Sequence, residues 1–134
     1  MRVSEPILRT ALSGLLAATK RLGAAAENTA NAGNVSRLQP KDGDPPAFAP
    51  VRVEQSAQPR GGVTAEYRPV DPATLTVANE ASPLADQNGL VGIPNVDLGQ
   101  QRVAALSAQR AFEANLKVIQ VTQEMQDSLL NLKT

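Results

Sequence analysis

The stretch that most restricts the fold of this chain runs from Pro94 to Thr134. After Pro94-Asn95-Val96-Asp97 it contains no further proline and a single glycine, Gly99. Asp97 with Gln100 three residues on has the form of a capping box, in which each residue satisfies a backbone donor of the other. From Leu98 to Lys133 most residues are good helix formers, which predicts one helix about 50 Å long at 1.5 Å rise per residue. Its apolar positions recur by sevens at Ala104, Ala111, Val118, Met125 and Leu132. Ala108 and Leu129 stand four residues after members of that series, with the polar Asn115 and Thr122 between them. Such spacing predicts a coiled-coil seam, polar at its middle and strongest toward the C-terminus.

A second stripe, Ala105, Phe112, Leu116, Ile119 and Leu130, widens the apolar arc to roughly 200°, more than one packed partner covers. Arg102, Arg110, Glu113, Lys117, Glu124 and Asp127 occupy the remaining face. A helix of this kind either sits in the middle of an ordinary bundle or has one partner inside its chain and others outside it.

At the other end, Ser4-Glu5-Pro6 reads as a helix start, with Ser4 as cap and Pro6 in the first turn, where its missing N–H is not needed. Leu8, Leu15 and Leu22 follow at sevens, with Ala11, Leu12, Ala18, Thr19, Ala25 and Ala26 filling the same side. Arg9, Ser13, Lys20, Arg21, Ala24 and Glu27 belong to the polar side. The helix is predicted to end near Ala32, where Gly33 and Asn34 suit a left-handed cap.

Residues 35–62 are broken by Pro40, Pro45-Pro46, Pro50, Pro59 and Gly61-Gly62, which excludes a long helix. Alternation within Phe48–Gln55, then at Val63, Ala65 and Tyr67, and again at Leu75-Thr76-Val77 predicts a small antiparallel hairpin or meander. Mobile loops are expected at 38–47 and 56–62, and a turn at Asn88-Gly89 before Leu90 to Ile93 leads extended into the last helix. The expected fold is mainly α with a small β-rich insertion, the N- and C-terminal helices pairing as an antiparallel coiled coil. Its parts are 1–34 and 94–134 for the helix pair and 35–93 for the insertion. Leu8, Leu15 and Leu22 are expected to face Ala111, Val118, Met125 and Leu132. A pair alone leaves the second stripe wet, and 134 residues supply no third long helix to cover it. Copies of the chain or of a relative would do so, through Phe112, Leu116, Ile119 and Leu130.

Composition narrows the function classes. There is no Cys and no His, so thiolate zinc sites and the commonest general base are both missing. Thirteen charges of each sign cancel, which gives no mark of nucleic-acid binding. The first twenty residues lack the apolar block of a signal peptide, and no span suits a bilayer. Asp42 and Asp44 are accounted for by turns, and Gly61-Gly62 lacks the Lys and the strand-to-helix setting of a phosphate loop. No catalytic, cofactor or metal site is assigned, and an enzyme is not expected.

The motif Ala26-Glu27-Asn28-Thr29-Ala30-Asn31-Ala32, preceded by Arg21-Leu22, resembles the N-terminal signature of the bacterial flagellar rod and hook proteins. Pro83-Leu84-Ala85-Asp86 through Gly89, then Pro94-Asn95-Val96-Asp97 and Ala111-Phe112-Glu113-Ala114-Asn115, is similar to the C-terminal approach and helix of the proximal-rod members. Thr29 departs from the Leu or Ile usual at its position. The resemblance covers roughly 1–35 and 83–134. It implies a structural subunit exported without a cleaved signal and assembled as a helical tube in the periplasm, transmitting motor torque to the hook. It also implies partners: copies of the chain, other rod proteins, the P ring, and export-gate or base-ring adaptor proteins. Asn28 and Asn31, in the last turn of the first helix, are expected to bond backbone groups at the helix end or on a neighbouring subunit. The competing reading is a soluble helical adaptor or secretion-associated coiled coil, which would close as a discrete oligomer rather than grow.

Overall fold

The computed structural model describes residues 4–132. Two long helices, α1 (Ser4–Asn31) and α2 (Leu98–Asn131), bracket four short strands: β1 (Val51–Ala57), β2 (Val63–Pro69), β3 (Thr74–Ala78) and β4 (Leu90–Pro94). The protein is mainly helical with a small antiparallel β insertion, as the proline and glycine punctuation requires. α2 starts where expected: the Gln100 amide donates to Asp97 Oδ1 at 3.0 Å, which satisfies one of the helix's free N–H groups. Ser4, expected as the cap, already lies within α1.

The insertion is not one meander but two separate two-stranded sheets, β1-β2 and β3-β4. β4 comes from the extended approach to α2, which pairs with β3 from Leu90↔Ala78 to Pro94↔Thr74. In the first hairpin Val51 faces Pro69 and Ala57 faces Val63 without a bulge. The 56–62 stretch, expected as a mobile loop, is instead the end of β1 followed by a tight turn closed by Gln58 N–H donating to Gly62 O at 3.0 Å. Gly61 and Gly62 have φ of 86° and 89°. The turn also presses on α1, since a Cβ at position 62 would lie 2.5 Å from Ser13 Oγ. Glycine is needed there for conformation and for room.

α1 is the middle layer, with α2 against one side and the β1-β2 hairpin against another. Seventh-residue steps on α1 explain the two contacts. Ala11, Ala18 and Ala25 line one stripe, and Ala17 and Ala24 line the next, all of them buried. The hairpin reaches α1 through residues expected on its polar side. Val63 N–H donates to Ser13 Oγ at 3.1 Å, Lys20 Nζ donates to Ala65 O at 2.8 Å, and Ala24 is covered. The core is therefore built mostly from alanines, with Val91 the largest fully buried apolar side chain.

Candidate assembly interface

Asn28 joins three elements. Only 2 % exposed, it donates from Nδ2 to Val51 O at 2.7 Å and to Gln101 Oε1 at 3.1 Å, while its Oδ1 accepts from Val51 N–H at 3.1 Å. Its amide offers β1 the donor and acceptor that a neighbouring strand would offer. Asn28 is expected to bond backbone groups at the helix end or on a neighbouring subunit; within the chain its backbone partner is Val51. A buried amide left unpaired would carry its full desolvation cost, and here the chain itself satisfies both ends of the amide. Asn31 differs: it is half-buried, donates back to Glu27 O at 2.9 Å and accepts from Asn34 Nδ2 at 2.8 Å. Thr29 likewise bonds its own helix, at Ala25 O.

The contact between the helices follows a different line from the one expected on α2. A Cβ at Gly14 would lie 2.5 Å from Asn115 Oδ1, and Asn28 meets Gln101, so equal steps along the two helices run in opposite senses. On α2 the inward residues are Gln101, Ala105, Ala108, Asn115, Ile119, Thr122 and Gln126, all buried or half-buried. Of the residues assigned to helix pairing, Leu8, Leu15 and Ala111 are half-buried on this side. Leu22 and Val118 are each 43 % exposed, Met125 61 % and Leu132 83 %, so within the single chain these four lie at the margin of the seam or outside it. The physical reason is closeness. Helices that approach at Gly14 and Ala18 admit only small or self-satisfied residues opposite. Asn115 and Thr122 qualify because they bond Ala111 O and Val118 O of their own helix, at 2.8 and 2.7 Å, and bury no unpaired group.

Large apolar side chains are left on the flanks. Phe112, Leu116 and Leu130 are exposed and Ile119 is half-buried. Ile7, Leu12, Leu16, Val103, Leu106, Val121 and Leu129 join them, several unremarked by the heptad reading. Scattered exposed leucines are ordinary, but rows of them on a two-helix pair mark an interaction surface. Among the described residues no three His, Cys, Asp or Glu side chains stand together as a metal site would need. Nor is any helix long and apolar enough to cross a membrane.

Comparison with known proteins fits this surface. Residues 87–132, covering β4 and α2, match the model of the flagellar basal body rod FlgEFG protein C-terminal family, a class of rod proteins. The flagellar basal-body rod proteins FlgC of Yersinia enterocolitica and Salmonella typhimurium are each 36 % identical over 124 residues, covering 90 % of both chains. That of Agrobacterium fabrum is 29 % identical over 140 residues, covering 90 % of this chain and 88 % of its own. The chain belongs to the FlgC family of flagellar basal-body rod proteins.

Proposed function

We propose that the chain is a structural subunit of the bacterial flagellar proximal rod, self-assembling with its relatives into a helical tube. The tube carries motor torque outward and leaves a channel for exported subunits. The observation that carries this reading is the inverted use of side-chain size, with alanines inside the helix pair and Phe112, Leu116, Leu130 and their neighbours outside it. Burial of apolar surface is then completed between subunits. In this reading the terminal helices act as an antiparallel coiled coil toward the tube's core, Leu8, Leu15 and Ala111 contributing from its edge. Phe112, Leu116 and Leu130 meet neighbouring subunits, with Ile119 reaching them from the edge of the helix pair, and the β insertion faces outward. The subunit reaches the periplasm through the flagellar export apparatus without a cleaved signal. Its partners are copies of itself, other rod proteins, the P ring, and export-gate or base-ring adaptors. A soluble adaptor is disfavoured because its exposed rows would have to close on a discrete oligomer.

The test is to delete the gene, confirm loss of motility, and locate the complementing chain in purified basal bodies by imaging. Density for this chain in the rod is the expected result. A chain that restores motility while remaining in a soluble dimer or tetramer at all concentrations would overturn the reading.

A further inference from the structure

Two two-stranded sheets present four outer edges, and the chain treats them unequally. Where Val51 gives both backbone groups to Asn28, its neighbours at alternate positions, Val53, Gln55 and Ala57, also turn theirs away from β2. The same alternation turns Thr74, Thr76 and Ala78 away from β4, because Asn79 and Asn95 hold the inward bonds to Gly89 and Ala73. The outer edge of β2 is met by Ser13 and Lys20. That of β4 is met by Ser36, which exchanges two bonds with Gly92, and by Asp86, which exchanges two with Leu90. Beyond Val51, the β1 edge has no such partner among the described residues, and neither has the β3 edge.

Natural sheets blunt free edges with lysines, prolines or bulges. Neither open edge has a lysine, a proline or a bulge; the charges of β1, Arg52 and Glu54, pair with each other, and Glu54 also with Arg68 of β2. β3 is Thr-Leu-Thr-Val-Ala, uncharged and rich in strand-forming residues, and β1 pairs with β2 in unbroken register. We propose that β3 of one copy adds as a strand to the open edge of β1 on the next copy. Each edge offers three outward positions on alternate residues, so the two match in length, and Gln55 falls opposite Thr76 at their centres. Pairing β1 with β1, or β3 with β3, would generate a two-fold and close a dimer. Pairing β1 with β3 is head-to-tail and leaves one edge of each kind at the ends, so it continues as a filament wherever the rotation does not close a ring. The proposal deepens the rod reading and rests on it, since open association is what a rod needs.

The absence of native cysteine makes the test clean. Chains carrying Gln55→Cys, Thr76→Cys or both are expressed in the deletion strain, and purified rods are treated with a thiol oxidant. Opposed residues in a strand pair stand within disulfide reach. The double variant is expected to give a ladder of multimers of this chain, and each single variant only monomer. Gln55→Pro provides a second measure. It removes an outward N–H without breaking an intrachain bond, so helicity should stay unchanged while rod incorporation falls about tenfold. Dimers from Thr76→Cys alone, an adduct with a protein of another mass, or rods containing the double variant without a ladder would each overturn the edge pairing and leave the rod reading standing. If the unsubstituted chain is itself missing from purified rods, both fall together.

Discussion

α1 buries six of its twenty-eight residues, whereas the longer α2 buries two of its thirty-four. Both sequences are amphipathic, so the difference comes from neighbours. α1 is flanked by α2 and by the β1-β2 hairpin; α2 has α1 on one side and little on the others. α1 can therefore use alanine at nearly every inward position and let closeness do the packing. α2 keeps its valines, leucines, phenylalanine and methionine outside, where α1 cannot reach them. α1 spends more of its surface inside the subunit, and α2 leaves more of its large apolar side chains exposed.

Four measurements would break or sharpen that contrast. The largest effect is expected at Asn28. Asn28→Leu strands the Val51 N–H and C=O and the Gln101 amide, and should lower the melting stability of the free subunit by about 3 kcal/mol. Asn31→Leu, whose amide bonds only its own helix end, should change it by less than about 0.5 kcal/mol. Equal losses would erase the distinction between the two asparagines.

Next comes Gly14→Ala, which forces a methyl toward Asn115 and should destabilise by about 2 kcal/mol. Adding Asn115→Ala should recover more than half of that, because it removes the obstructing amide. No recovery would mean that the helices do not meet there.

Ala24→Leu overpacks a residue buried against the hairpin and should destabilise by about 1 kcal/mol. The polar-side position inferred from periodicity would predict no change, so a thermal melt decides between them.

The smallest effect on the subunit is expected on α2. Met125→Asp should shift stability by less than about 0.5 kcal/mol. Phe112→Ala should remove about 1 kcal/mol, well short of the ~3–5 kcal/mol of a buried phenylalanine. Both should still reduce rod-bound protein relative to exported protein. A large melting shift with normal incorporation would make α2 an ordinary core helix.

The long helices were legible because propensity, capping and breakers agree along them: Asp97 with Gln100 at one start, Gly33 and Asn34 past the other end. The face that each helix turns inward was only partly legible. The sevens at Ala111, Val118 and Met125 are a real period, but periodicity alone does not say which stripe meets which partner when apolar residues cover so wide an arc. Size carried the missing information: Gly14, Ala18 and Ala25 announce a close approach, which selects Ala108, Asn115 and Thr122 opposite. Ser13 and Lys20 misled for another reason. Their polar ends bond the hairpin's backbone, so a face that reads as solvated is a docking face. The pairing of β3 with Leu90–Pro94 depends on contacts far apart in sequence, which local alternation does not encode.

The Asn28 bond set has a consequence for motion as well as for stability. An amide on the rim of a two-stranded sheet ordinarily exchanges its hydrogen with water through local fraying. Val51 N–H is instead held by Asn28 Oδ1, on a side chain only 2 % exposed, so it is released when β1 lifts from α1 at that point. Its exchange rate therefore reports the docking of the hairpin on α1, and a single backbone proton serves as the gauge of that contact.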